Sequence, residues 1–440
     1  MENNKHKFWK GVLVGSLVTA FAGLLIVGMS AGIFLIGSTV IQNQENSQQI
    51  SQDSDGSELN YSKIMAKMGL IKSAVDEYFL FDQDPEKIED GIYTGMMYGL
   101  EDPYSVYYNE KDYETLVEST EGEYCGIGVM VSQNRTTGVM TVSRVFEGAP
   151  GYEAGMLTGD IFYKINGENI TGMELDKVVS DYIKGEEGTS VEITVLRGEE
   201  AKEVTMNVER RQVEVPTVEY EMLENQVGYV LVTQFDGVTA EQFKTAIDDL
   251  ESQGMEKLVI DLRGNPGGVL EAVVDMMAYV LPEDKMDGLL ISTADKNGKG
   301  DRFYCKDGQI HYESDFGTIH PDYPKKDDHQ IDVPMALLVD GNSASAAEVF
   351  TGAMMDYDQA VVVGTQTFGK GIVQHLLPLG DGTAIKLTVS HYYTPGGTDL
   401  HKKGLTPDVV VELDPKLRTN PVIPLEEDNQ VQAVLEVLEQ

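Results

Sequence analysis

Cysteine is nearly absent from this chain: Cys125 and Cys305 are the only two among 440 residues. Two distant thiols cannot form a disulfide framework or, alone, a cysteine zinc site. Basic residues are scarce too. Lys and Arg number 33 against 73 Asp and Glu, a net charge of −40. Such a chain has no bulk cationic surface for a phosphate backbone, which excludes nucleic-acid binding by that route. Seven histidines are present, and none has His-x-x-x-His or His-Glu-x-x-His spacing. His320 and His329, with Asp322, Asp327 and Asp328, form the one conceivable surface metal cluster, and no metal or other cofactor is expected. Hydrophobic residues make up 41% and charged residues 24%, a globular composition rather than a disordered or collagen-like one.

Long apolar runs are also missing, with one exception. No charge stands between Lys10 and Glu45, and 11–40 is almost continuously apolar. A helix of about 26 residues rises about 39 Å, enough to cross a bilayer with some tilt. Lys5, Lys7 and Lys10 hold the start of the chain in the cytoplasm and place the rest outside. Ala20-Phe21-Ala22 resembles a signal-peptide cleavage site, but Gly23-Leu24-Leu25-Ile26-Val27 carries the apolar run past it. The expectation is a cytoplasmic tail over 1–10, an uncleaved single-pass signal anchor over 11–40 and a polar linker over 41–60.

Beyond the linker the patterning changes three times. Ile64, Met68, Ile71, Val75 and Phe79 share one helical face, and a second helix is predicted over 88–100, giving a helical segment over 61–115. Short β-rich runs, an Asn166-Gly167 hairpin signal and a helix over 175–183 mark a small domain over 116–212. In 213–427, strands over 227–232, 258–262 and 335–339 alternate with helices over 240–252, 270–279 and 345–355, a mixed α/β core. Further strands are predicted over 360–363, 373–377 and 383–390, a polar, turn-rich excursion over 284–330, and a closing helix within 428–440.

Four stretches carry candidate chemistry. In Asp340-Gly341-Asn342-Ser343-Ala344-Ser345-Ala346-Ala347-Glu348, a serine sits at a helix N-terminus, where backbone donors could hold an oxyanion. Asn342, Ser343 or Ser345 could equally be a plain helix cap. In Phe368-Gly369-Lys370-Gly371-Ile372-Val373-Gln374, a strand would put Lys370, Ile372 and Gln374 on one side. A lysine base must lose its proton, and moving its pKa from about 10.4 to about 7 costs roughly 4–5 kcal/mol. Burial beside neutral groups can impose that shift, and a glutamine carbonyl orients the amine without adding negative charge. Asp261-Leu262-Arg263-Gly264-Asn265-Pro266-Gly267-Gly268 reads as an oxyanion loop, a phosphate cradle or a plain turn; it lacks the Gly-Lys-Ser/Thr ending of a phosphate loop. Tyr124-Cys125-Gly126-Ile127-Gly128-Val129 offers adjacent N–H groups for a terminal carboxylate, or simply begins a strand. A Ser-His-Asp triad through His375 or His391 is a further possibility.

Together these pieces resemble the carboxyl-terminal processing proteases, the tail-specific serine endopeptidases of peptidase family S41. The order is the family's: helical segment, PDZ domain, Asp-Leu-Arg-Gly-Asn-Pro-Gly-Gly, Ser-Ala-Ser, then Phe-Gly-Lys-Gly-x-Val-Gln. Tyr393-Thr394-Pro395-Gly396-Gly397 and Gly404-Leu405-Thr406-Pro407-Asp408 also fit, as does Gly148-Ala149-Pro150-Gly151 in the PDZ-like region. The resemblance implies a crotonase/ClpP-like β-β-α protease core with Ser345 as nucleophile, Lys370 as base and Gln374 orienting the lysine. It implies an oxyanion hole from the N–H groups of Gly268 and Ala346, and a PDZ carboxylate loop at Gly126, Ile127, Gly128 and Val129. Expected partners are protein or peptide substrates with accessible C-termini, the membrane through the anchor, and a second copy in a homodimer or ring.

Two departures stand out. Ala347 replaces a common third serine, which leaves the middle one in place, and the 284–330 excursion is longer than usual. A membrane-tethered PDZ adaptor with an inactive core is the alternative, and it predicts damage to the Ser/Lys/Gln set, of which none is visible. An acyl-thioester enzyme on the same core would leave the PDZ unit and the Ser–Lys pair unexplained.

Overall fold

The computed structural model describes residues 59–281, 288–327, 331, 333–418 and 423–439. The expected tail, the anchor over 11–40 and nearly all of the linker lie outside the described residues. Among the described residues, no helix is long and apolar enough to cross a membrane. The chain divides into two compact units. One holds the chain up to Tyr113 together with 374–388, and the other holds 114–373 and the chain from Val389 onward.

In the first unit, Asn60 caps the helix Tyr61–Tyr78 by accepting from the Lys63 N–H at 2.9 Å. Asp84 caps the helix Pro85–Tyr98 in the same way, and proline opens its first turn. The apolar face predicted for the first helix forms, yet that helix has no buried residue: Ile64, Leu70, Ile71 and Tyr78 stay exposed. The strand Val106–Tyr108 pairs antiparallel with 384–386, and the Tyr107 hydroxyl donates to Asp90 Oδ1 at 3.1 Å.

The second unit begins with an antiparallel sheet in the order Val129–Gln133, Met140–Val145, Ile161–Ile165, Ser190–Arg197, Lys202–Glu209. Asn166 and Gly167, both at positive φ (51° and 79°), make the tight turn that their sequence announces. The inward residues Ile127, Ile165, Ile170, Ile193 and Val195 form its core. The helix expected over 175–183 is one α turn, Leu175–Val178, followed by a π turn, Val179–Ile183. Strand Val129–Gln133 stands at the sheet's edge.

Next comes a six-stranded sheet in the order Val218–Met222, Val227–Val232, Lys257–Asp261, Met335–Val339, Ala360–Gly364, Val409–Val410, parallel from the second strand onward. Its strands are nearly continuous apolar runs because both faces are covered. Leu258 and Ile260 point to one face, against helices Thr239–Ser252, Leu270–Val280 and Ala346–Asp356. Val259 points to the other, against Val431 and Val434 of the helix Asn429–Leu438.

Two local expectations are revised. The 284–330 excursion is not merely turns: Gly288–Ala294, Asp301–Lys306 and Gln309–Ser314 form an antiparallel meander. Asp307-Gly308, at φ 52° and 73°, closes its second hairpin, and Phe303, Cys305 and Ile310 reach into the main core. In the second revision, the strand after the lysine motif begins at Ile372, so Lys370 lies in the turn before it and strand alternation does not orient its side chain.

Phe350 is fully buried in the Ala346–Asp356 helix beside Phe235, with ring centroids 6.5 Å apart. Phe350→Ala is expected to cost about 3–5 kcal/mol of stability through the cavity it leaves, measured by urea unfolding followed by near-ultraviolet circular dichroism.

Candidate active site

Strand Met335–Val339 delivers the chain to a turn held by Asp340. Its Oδ1 accepts from the Asn342 and Ser343 N–H groups at 2.9 and 3.1 Å. Of the three possible caps, Ser345 takes the N-cap position of the helix Ala346–Asp356. Its backbone is strained for a residue with a Cβ, at φ 54° and ψ −115°. Ser343 is wholly buried, its hydroxyl donating to the Leu262 carbonyl at 2.8 Å.

That contact is one of several joining the serine turn to the glycine loop. The Gly264 N–H donates to Asp340 Oδ1 at 2.9 Å, and the Ala344 N–H to the Asn265 carbonyl at 3.0 Å. Buried Asn265 bridges onward, donating to the Val232 carbonyl and accepting from the Gly267 N–H, both at 2.8 Å. Glycine is required here by space as well as by φ. A Cβ on Gly267 would lie 2.8 Å from Ser345 Cβ and 2.8 Å from the Ala346 nitrogen, and one on Gly268 would lie 1.9 Å from the Phe235 oxygen. The structure therefore sets Gly267 against Ser345 and Ala346, and Gly268, the next residue, against Phe235.

The lysine turn joins the same region through a residue that sequence reasoning passed over. Glu348 is fully buried, and its carboxylate accepts four hydrogen bonds. Oε2 takes the Ser345 N–H at 3.0 Å and the Lys370 N–H at 2.8 Å. Oε1 takes the Thr367 hydroxyl at 2.6 Å and the Gly369 N–H at 2.7 Å. Phe368 also donates its N–H to the Ser343 carbonyl at 3.0 Å. The signal was present in the sequence: Ser345-x-x-Glu348 is capping-box spacing, in which the glutamate reaches back to the cap's N–H. Gln374 lies in the strand Ile372–Pro378 and belongs to the other unit, where its Nε2 donates to Thr388 Oγ1 at 3.5 Å.

The histidine candidates have other surroundings. His375 is exposed. His391 Nδ1 lies 3.6 Å from Asp399 Oδ1, and its ring meets His401 edge-on. His320 packs among Phe303, Tyr312 and Tyr323, with Nε2 3.4 Å from Glu271 Oε1. Asp328 and His329 lie outside the described residues, and among the described residues no cluster of three ligands could hold a metal.

The fourth motif forms the end of a groove of about 300 Å³ between the edge strand and the helical turns, lined by Val129, Val131, Phe162, Leu175, Val178 and Ile183. Gly128 has φ 71°, and a Cβ there would lie 2.2 Å from Ala149 Cβ. The Tyr124 ring lies against Gly126. Burial pushes its hydroxyl up to about 12, while hydrogen bonds from the Gly128 and Val129 backbone draw it down. Glu118, from helix Glu110–Glu121, also lines the groove and pairs with Lys184.

Comparison with known proteins gives the class of protein that carries this fold. Peptidase family S41 matches residues 226–411, a PDZ domain matches 141–197, and the activating protease CtpB N-terminal domain matches 25–112. A carboxy-terminal-processing protease of Bartonella bacilliformis is 32% identical over 392 residues, covering 88% of this chain and 82% of the relative. Carboxy-terminal processing protease CtpB of Bacillus subtilis is 30% identical, covering 92% and 78%. A solved photosystem II D1 C-terminal processing protease shares 25% identity over 83% of this chain and 90% of its own, with a TM-score of 0.42. The chain belongs to peptidase family S41, as a serine-type carboxy-terminal processing protease with a PDZ domain.

Glu348→Ala leaves four donors, three of them in buried contacts, without their acceptor. It is expected to lower kcat for peptide hydrolysis by at least about 100-fold, close to 3 kcal/mol in the barrier. Steady-state kinetics on purified variants checks this.

Proposed function

We propose that the chain is a membrane-anchored endopeptidase that hydrolyses peptide bonds with Ser345, Lys370 and Gln374. The observation that carries this reading is the buried Glu348 carboxylate, which binds the Ser345 and Lys370 N–H groups through one oxygen. Neutral Lys370 takes the Ser345 proton as the hydroxyl attacks the scissile carbonyl. The Gly268 and Ala346 N–H groups hold the oxyanion of the tetrahedral intermediate. Lys370 then protonates the leaving amine, and water releases the acyl group. The family pattern assigns Gln374, four residues on, to orient the amine.

Substrate C-termini add a strand to the edge strand Val129–Gln133, with the carboxylate in the turn Gly126, Ile127, Gly128 and Val129. The apolar lining of the groove suits an apolar final side chain. The uncharged run over 11–40 supports an anchor with the catalytic part outside the cytoplasm. The proposed divisions are a helical segment over 61–115, a PDZ domain over 116–212, a protease core over 213–427 and a C-terminal helix within 428–440. The apolar surface exposed on Tyr61–Tyr78 and Pro85–Tyr98 supports assembly into a homodimer. No observation favours an inactive adaptor.

Ser345→Ala and Lys370→Ala are each expected to abolish cleavage of an unstructured protein ending in apolar residues, read by mass spectrometry of the products. Cleavage that survives in Ser345→Ala would move the nucleophile elsewhere.

A further inference from the structure

The glycine loop is held from behind as well as from the serine side. It leaves the sheet at Arg263, whose side chain is only 16% exposed. The guanidinium Nε donates to both Asp261 oxygens at 3.0 Å, and Nη2 donates to Asp261 Oδ2 at 2.6 Å. Asp261 is buried and also accepts from the Tyr229 hydroxyl at 2.6 Å. Nη1 reaches 165 residues along the chain to Asp428 Oδ2 at 2.8 Å, and also to Gln430 Oε1 at 2.9 Å. Both partners are buried.

Asp428 does two jobs with its two oxygens. Oδ1 caps the C-terminal helix Asn429–Leu438, accepting from the Gln430 N–H at 2.8 Å and the Val431 N–H at 3.3 Å. Oδ2 holds Arg263. Gln430 in turn donates to the Val411 carbonyl at 2.7 Å, beyond the strand Val409–Val410. The C-terminal helix packs on the face of the sheet opposite the serine-bearing helix. The guanidinium thus links that far helix to the first residue of the glycine loop.

The loop's backbone is bonded to Phe235, whose N–H donates to the Gly267 carbonyl at 3.1 Å and whose carbonyl accepts from the Val269 N–H at 2.6 Å. Gly264, Gly267 and Gly268 stand at φ 73°, 96° and 150°, and none has a side chain to lock its conformation. On the serine side the Gly264 N–H donates to Asp340 and the Asn265 carbonyl accepts from the Ala344 N–H, while the Asn265 side chain ties the loop to the Val232 carbonyl. Arg263 is its anchor on the other side. A planar guanidinium can satisfy Asp261, Asp428 and Gln430 together, which a lysine ammonium cannot do with the same geometry.

We infer that Arg263 is a positioning residue for the hydrolysis, and that through Asp428 the C-terminal helix sets the placement of the Gly267–Gly268 backbone. The inference rests on the reading above that the Gly268 N–H stabilises the oxyanion. The chain from Asp428 onward is then part of the active-site machinery, acting through a loop it stands behind.

The test uses the full chain with Asp428→Asn and Arg263→Lys. Asparagine is as good a helix cap as aspartate, so Asp428→Asn keeps the helix start and removes the charge that holds Arg263. Three quantities are measured for each: kcat and KM on a peptide substrate, the inhibition constant of a matching peptide aldehyde, and the melting temperature. The aldehyde forms a hemiacetal with the serine and places its oxygen in the oxyanion hole, so its affinity reports that hole directly. The expected result is a 10- to 100-fold fall in kcat with KM unchanged and a parallel loss of aldehyde affinity. Wild-type kcat and aldehyde affinity in both variants overturn the inference. So does a fall in kcat that tracks the melting temperature while aldehyde affinity stays constant, which would mean a structural role alone. Ser345→Ala runs alongside: cleavage surviving there overturns the underlying serine assignment and the inference with it. Loss of cleavage there, with wild-type values in the other two variants, overturns the inference alone.

Discussion

One buried carboxylate organises this molecule's chemistry. Glu348 sits on the first turn of a helix, is removed from water, and accepts hydrogen bonds from Ser345, Thr367, Gly369 and Lys370. An isolated charge at that depth would be costly, and four donors compensate it. The donors come from two turns about twenty residues apart, so satisfying the carboxylate also fixes the serine turn against the lysine turn. The strained backbone at Ser345 is sustained by the same contacts.

Around that carboxylate the glycine loop is shaped by exclusion. At Gly267 and Gly268 the neighbouring backbone occupies the space any Cβ would need. The loop backbone therefore packs directly against Phe235 and the serine turn. The price is a loop with few side-chain anchors, and Asn265 and Arg263 provide them from its two sides.

The PDZ region obeys the same steric logic on a different scaffold. Gly128 is pressed against Ala149, and the Tyr124 ring lies against Gly126. The groove beside them is lined by Val129, Val131, Phe162, Leu175, Val178 and Ile183, with Glu118 and Lys184 among its polar lining.

Much of this was legible in the residues. Alternation of two and of 3.6 located the core strands and helices, because side-chain direction along a regular backbone depends only on local geometry. Asn166-Gly167 gave its turn for the same reason, and Asp307-Gly308 carried an equal signal inside the excursion that was read as turns. The chain's five ordered motifs sufficed to recognise the family. The sequence by itself thus determined element types, their order and the candidate residues. Which oxygen Ser345 and Lys370 share, which serine takes the cap and how Arg263 meets Asp428 were decided only by the tertiary structure. Those partners lie up to 165 residues apart. Hydrogen bonding and burial are set by which distant surfaces meet, and no local pattern encodes that meeting.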